Sequence, residues 1–296
     1  MKSSPSLAVR TLFFTAIALI AFAANSVLCR LALGDGLIDA SGFTIIRLLS
    51  GAIVLLIILQ FSSVKNSVSS KGSWSASALL FIYAAAFSFA YVSLDTATGA
   101  LVLFGAVQLT MILLSMMAGN RLHPSEWIGA SIAFIGFVFL ILPDITTPSV
   151  TGFMLMLIAG IAWGIYSIKG RASLNPLMDT AYNFFRSMPL IIILAVVTLQ
   201  EIQLSTEGIL LAVLSGGIAS GIGYTIWYLA LAGLSSTQAA VVQLLVPIIA
   251  AIGGVIFVFE PITSRLLMSG IMILGGIFIV VIGNYYFARH ATQSSE

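Results

Sequence analysis

Apolar residues along this chain gather into ten runs, at 11–33, 41–61, 74–93, 96–118, 127–142, 152–170, 180–199, 208–231, 237–259 and 266–287. About 20 apolar residues in a helix cross a hydrocarbon layer of roughly 30 Å. Lipid offers no partner to a bare amide, so runs of this kind must be helices. The breaks carry turn residues: Gly34-Asp35-Gly36, the stretches 65–72 and 120–125, Pro143-Asp144, Asn175-Pro176 and Glu260-Pro261. None leaves room for a separate domain. The pattern predicts an all-α membrane protein of ten transmembrane helices.

The chain also repeats itself at an offset of about 140 residues. Leu19-Ile20-Ala21 with Ala24 returns as Leu157-Ile158-Ala159 with Ala162, and the Asp39/Arg47 pair returns as Asp179/Arg186. Gly119-Asn120-Arg121-Leu122 aligns with Phe259-Glu260-Pro261-Ile262, and Gly136 with Gly276. Each half holds five spans, an odd number, so the second half must be inverted relative to the first. Inverted repeats around a midplane site mark secondary transporters. The expected units are 11–143 and 151–287, around a central cavity, with flexible tails at 1–10 and 288–296.

Composition removes the soluble alternative. Apolar residues make up 60% and charged residues 7%, against roughly 25% charged in a soluble domain. A net charge of +2 from scattered basic residues points away from nucleic acid. The expected partners are the lipid bilayer and a small-molecule substrate, with oligomeric state left open, a monomer included. The single cysteine, Cys29, excludes an intramolecular disulfide and a multi-cysteine metal site.

Basic residues fix an orientation. With the N-terminus inside, cytoplasmic segments carry Lys2, Arg10, Lys65, Lys71, Arg121, Lys169, Arg171 and Arg289. The other side carries Arg265, with Arg30 close to that end of the first helix, alongside Asp35, Asp39, Asp95, Asp144, Glu201 and Glu207. The bias places both termini in the cytoplasm of an inner-membrane protein. Residues 2–23 imitate a signal peptide, but cleavage would break the two-fold parity, so the segment is expected to stay.

These residues resemble a known family. The run Ser220-Gly221-Ile222-Gly223-Tyr224-Thr225-Ile226-Trp227-Tyr228, followed by Pro247 and Phe259-Glu260-Pro261, is similar to the eighth and ninth spans of drug/metabolite transporters built from two EamA domains. Phe43-Thr44-Ile45-Ile46-Arg47 resembles that family's second span. Gly119-Asn120-Arg121-Leu122 with Glu126-Trp127-Ile128-Gly129 resembles the join of its fourth and fifth. The resemblance covers nearly the whole chain. It implies ten helices packed as a basket around a cavity that exports or exchanges small organic solutes, amino acids among them. Asn120 stands where the family usually has an acid, and Gln108 lies in a stretch where relatives place proline, which predicts a straighter fourth helix.

Membrane-buried polar groups are costly and therefore informative. Asn25, Gln108 and Gln243 lie at mid-depth, suited either to a solute or to bonds between helices. An amide donates to a carboxylate and accepts from an ammonium without installing a charge. Tyr83 and Tyr91, Trp163 and Tyr166, and Tyr224, Trp227 and Tyr228 form helically spaced aromatic groups. Trp74 and Trp127 at span ends read as interfacial anchors, a reading that also fits Tyr91 and Tyr228. The expected cavity set is Asn25, Tyr83, Gln108, Trp163, Tyr166, Tyr224, Trp227 and Gln243.

A second set concerns gating and helix shape: Arg47, Arg186, Glu260, Asn120 and Pro247. Inversion places the two arginines on opposite sides, and Arg47 is expected to approach Glu260 while Arg186 meets neutral partners. Pro247 is expected to kink the ninth helix. No phosphate loop and no intramembrane His, Asp or Glu is present, so no enzyme chemistry, cofactor or metal is expected. The expected function is a secondary transporter working by alternating access; the alternatives are a membrane channel or an exporter of drug-like or nucleotide-linked metabolites.

Overall fold

Backbone amides surrounded by hydrocarbon are satisfied within their own helix, and every regular element among the described residues is helical. The structure, a computed structural model, describes residues 5–62, 71–119, 124–142, 148–171, 173–200, 203–231, 233–234 and 236–293. The first six spans are α1 (Pro5–Gly34), α2 (Ala40–Phe61), α3 (Trp74–Tyr91), α4 (Thr96–Met117), α5 (Pro124–Ile141) and α6 (Val150–Arg171). The seventh is α7 (Pro176–Arg186) followed by α8 (Met188–Val197). The eighth comprises α9 (Thr206–Val213), a π-helical segment Leu214–Ile222 and α10 (Gly223–Leu231). The ninth comprises α11 (Ser236–Gln243), α12 (Leu245–Gly253) and a π turn Gly254–Val258, and α13 (Ser264–Gln293) closes the bundle.

Nine of these spans are long and apolar enough to cross a membrane, and Trp127–Ile141 is a shorter apolar tenth, among the described residues. The fold is an all-α membrane bundle. Large apolar side chains such as Phe13, Ile53, Leu113, Phe134 and Ile271 point outward, as a hydrocarbon environment requires. At both termini the polar ends continue the terminal helices, over residues 5–10 and 288–293.

Proline sets the breaks. Pro189 lacks the N–H that would reach the Phe185 carbonyl, and Pro247 the one for Gln243. The chain accordingly breaks at Ser187, whose hydroxyl donates to the Phe184 carbonyl at 2.6 Å, and at Leu244, whose N–H turns back to Val241 at 3.1 Å. The fourth span has no proline and runs unbroken.

Caps set the starts, and the two aspartates of the repeat, one a cap and one in the first turn of α7, join the halves of the chain. Asp39 Oδ2 accepts from Gly42 N–H at 2.9 Å, capping α2, while Oδ1 accepts from Gln203 N–H at 2.9 Å, just before α9. Across the molecule Asp179 Oδ1 accepts from Gly72 N–H at 2.6 Å, just before α3. Each aspartate of the repeated pair thus clasps the loop leading into a span of the other half. Ser73 and Ser205 cap α3 and α9 in the same way, accepting from Ala76 N–H at 3.1 Å and Gly208 N–H at 3.0 Å.

Small residues bring backbones together. Gly129 of α5 and Gly276 of α13 lie against each other, such that a Cβ on Gly276 would sit 2.5 Å from the Gly129 carbonyl oxygen. Gly216, in the π-helical segment, lies on α2 so closely that a Cβ would enter the Arg47 carbonyl and Ser50 Oγ. Backbone cannot step aside as a side chain does. Gly216→Ala is therefore expected to lower stability by about 1–3 kcal/mol or more. Gly275→Ala, where nothing lies within 4 Å, should change it by less than about 0.5 kcal/mol. Thermal unfolding of the purified protein in detergent checks both.

Candidate functional site

Helices α1, α3, α4, α6, α10 and α11 surround a cavity of about 380 Å³, within the range of small-molecule sites. Its centre is aromatic. The Trp163 ring stacks on Tyr166 at 5.3 Å and lies 4.7 Å from Tyr83 and 5.2 Å from Tyr224. Phe22 of α1 meets Tyr224 at 5.8 Å and Trp227 at 5.6 Å, edge-on. Polar positions punctuate this surface. Asn25 Oδ1 accepts from the hydroxyls of Ser215 at 2.8 Å and Ser220 at 3.3 Å, which leaves its amide N–H groups for other partners. Gln108 Nε2 donates to the Ala240 carbonyl at 3.5 Å, tying α4 to α11. From the aromatic centre the lining reaches Gly170, Pro176 and Leu234, at the end of the bundle where α6 closes and α7 begins.

The opposite end is sealed by charge. Arg30 Nε, one turn from the end of α1, donates to Glu260 Oε1 at 2.8 Å. Its Nη1 donates to the Tyr91 carbonyl at 3.2 Å, and Nη2 lies 3.8 Å from Asp95 Oδ1. The second Glu260 oxygen accepts from Thr96 N–H at 2.8 Å. Asp95 occupies the N-cap position of α4 but makes no capping bond, so Glu260 from the far half of the chain serves the helix N-terminus instead. Phe259 adopts a left-handed conformation (φ 58°) that ends the ninth span and turns Glu260 inward.

All eight residues expected at the cavity lie in its lining. The gating set fared differently. Glu260 pairs with Arg30, correcting the expected partnership with Arg47. Arg47 lies two turns inside α2 and is 2% exposed, too deep to reach a rim carboxylate. Its Nη2 donates to the Tyr83 hydroxyl at 3.0 Å, and its charge lies over the rings of Phe87 and Tyr83. Arg186 donates to the Lys71 carbonyl and lies over the Trp74 ring, neutral partners both. Pro247 is buried on α12, three residues past the break at Leu244, and is not part of the lining. Asn120 lies outside the described residues.

Several positions at the cavity and at its closed end escaped the sequence. Tyr228 lines the cavity with its hydroxyl 2.7 Å from Thr180 Oγ1, and Tyr91 is fully buried, so neither is an interfacial anchor. Trp74 and Trp127, by contrast, are exposed at span ends. Arg30 had a signal: a cation on the last turn of α1, on the side where acidic residues gather. Ser215, Ser220 and Thr180 had none, since isolated hydroxyls are common in membrane helices.

The chain is similar to known proteins in sequence and in fold. The model of the EamA-like transporter family matches residues 150–282. An uncharacterized protein of Pseudomonas aeruginosa is 44% identical, over 92% of this chain and 94% of its own length. A probable amino-acid metabolite efflux pump of Escherichia coli is 25% identical, over 67% of this chain and 72% of that one. A solved crystal structure with 18% identity shares the fold, with a TM-score of 0.61 across 90% of this chain and 98% of that one.

The charged end should respond to pH. Burial, and then the neighbouring Glu260 carboxylate, hold the Asp95 carboxyl above its ordinary range against the opposing pull of Arg30. A carboxyl raised in the sealed state binds its proton more tightly there than when the seal opens. Sealing is therefore favoured below the ordinary carboxylate range, and that contribution is lost as pH rises through the raised value. With Thr98→Cys in a Cys29→Ala background, thiol labelling from the Asp95 side should slow as pH falls, relative to an exposed Asp35→Cys control. Asp95→Asn should abolish the pH dependence. Glu260→Gln should speed labelling on the order of tenfold at every pH, as expected for breaking a partly buried charged pair.

Proposed function

Because the chain belongs to the EamA-like transporter family, we propose that it is a secondary transporter that moves small, partly apolar organic solutes by alternating access. The observation that carries this reading is the cavity itself. It lies at mid-depth, is lined by aromatic rings and amides, reaches one end of the bundle, and is closed at the other by Arg30 and Glu260. A cavity with one closed end is one half of an alternating-access cycle. The proposed substrate contacts are the eight lining residues Asn25, Tyr83, Gln108, Trp163, Tyr166, Tyr224, Trp227 and Gln243.

The reciprocal clasps of Asp39 and Asp179 support a division into two inverted units, 11–143 and 151–287. Two units that each hold the other's loop can rock as bodies about the shared cavity. Similarity to a protein named a probable amino-acid metabolite efflux pump supports export, with amino acids or related metabolites as the solutes. The basic residues at the end that bears both termini support an inner-membrane orientation with both termini cytoplasmic. The cavity is then open inward. The sequence carries no nucleotide-binding loop, so the driving force in this reading is a solute gradient or a coupled ion.

Counterflow in proteoliposomes tests the cycle. Unlabelled solute on one side should accelerate entry of labelled solute from the other, and flux should saturate. Flux that rises linearly with concentration, with no acceleration, would identify a channel. Leucine in place of Gln108, or alanine in place of Trp163, should lower transport by about tenfold or more while the protein still folds. For orientation, cysteines replacing Asp35 and Ala118 should label from opposite faces of the membrane.

A further inference from the structure

Arg47 is a buried charge that the cycle above leaves unused. It is 2% exposed in the middle of α2. Its Nη2 is bonded to Tyr83, but Nη1 has no hydrogen-bond partner among the described residues. Both ion pairs among those residues belong to Arg30. The guanidinium carbon lies 4.7 Å from the Phe87 ring centre and 5.2 Å from that of Tyr83. Cation–π contacts offset only part of what burying an unpaired charge costs. Among the described residues no counter-charge pairs with Arg47.

The cavity is where one could arrive. Tyr83 and Phe87, the two rings against Arg47, both line it. Arginine only donates, so the Tyr83 oxygen accepts from Arg47, and its own proton, with the Tyr224 hydroxyl beside it, can turn to an acceptor on the cavity side. A hydroxyl polarised by a neighbouring guanidinium is a stronger donor than an isolated one. No charged side chain lies in the described lining. The Asp179 carboxylate, behind Tyr166 and Tyr228, is engaged by Gly72 N–H and the Ser173 hydroxyl. The cavity thus offers positive potential and a donor, and no carboxylate to receive an ammonium.

We propose that the transported solute is an organic anion, with a carboxylate that accepts from Tyr83 O–H in the field of Arg47. Its apolar or aromatic body lies against Trp163, Tyr224 and Trp227. Arg47 acts through Tyr83 and is a positioning residue; the solute supplies the counter-charge that no described residue provides. This narrows the solute class of the transport reading and rests on it.

The cavity contains its own reporter. Trp163 and Trp227 line it, whereas Trp74 and Trp127 are 65% and 54% exposed. Tryptophan fluorescence of the purified full chain can be titrated with phenylpropanoate, phenylpropanamide and phenylpropylamine, which share a ring and differ in charge. The carboxylate should bind about tenfold or more tightly than the amide, and the amine most weakly. Tyr83→Phe, which keeps the ring, and Arg47→Gln should both bring the carboxylate-to-amide ratio close to one, while Arg47→Lys keeps a preference for the anion. General loosening of the fold would weaken all three ligands without changing the ratio, so Tyr83→Phe decides the matter even if Arg47→Gln does not fold. Equal affinity for carboxylate and amide, no binding of any of the three, or a preference that survives Tyr83→Phe would overturn the proposal. Counterflow of solutes without charge preference would sink this inference and leave transport standing. Selective carboxylate binding without counterflow would do the reverse.

Discussion

Hydrocarbon supplies no hydrogen bonds, and that single constraint decides where this bundle can be irregular. Among the described residues the ladder of backbone bonds is disturbed at Ser187, along Leu214–Ile222, at Leu244 and along Gly254–Val258, all in the second half of the chain. Each disturbance has internal partners. Ser187 returns its hydroxyl to Phe184, and the π-helical segment presents Ser215 and Ser220 to Asn25. The break at Leu244 follows Gln243 of the cavity lining. The corresponding spans of the first half, α2 to α4, are continuous helices. One half is therefore built as a stiff wall and the other as a jointed one.

The two arginines on the first two spans show what depth does to a charge. Arg30 lies near a helix end, where Glu260 and Asp95 can reach it. Arg47 lies where no loop carboxylate can follow, and it is held by a phenol and two aromatic faces instead. Neutralising Arg30 is a matter within the protein and closes one end. Neutralising Arg47 is a matter for whatever enters the cavity.

The cavity was legible in the sequence because mid-membrane amides and deep aromatics are expensive unless they serve a purpose, and that cost depends only on residue type and depth. Depth follows from counting along a helix. Direction around the helix axis does not, since nearly every face of these spans is apolar. Arg47 and Glu260 were matched by charge and by repeat position, but the packing of α1 against the ninth span brings Arg30 to Glu260 first. Tyr91 and Tyr228 were ambiguous for a related reason: near a span end, a tyrosine facing lipid headgroups and one facing the bundle have the same address in the sequence. The break at Ser187 was legible in principle, because Pro189 lies inside an apolar run, yet proline near the start of a helical segment is also tolerated.

The cavity and the seal are joined along one face of α3. Tyr83, Phe87 and Tyr91 follow one another at helical spacing, with ring centres 5.6 Å and 4.8 Å apart. Tyr83 borders the cavity. At the other end of this ladder the Tyr91 carbonyl accepts from Arg30, and the Tyr91 hydroxyl donates to the Thr96 carbonyl at 3.3 Å, beside the N–H that Glu260 caps. Arg47 grips the first two rungs from α2. An anion bonded to Tyr83 would compete for the charge that now holds Phe87 and Tyr83 against α2. That grip is one hold on α3, which packs more extensively on α6, and α3 ends in the Tyr91 carbonyl that accepts from Arg30 beside Glu260. The residues proposed to select the solute thus lie on the same helix face that meets the Arg30–Glu260 contact.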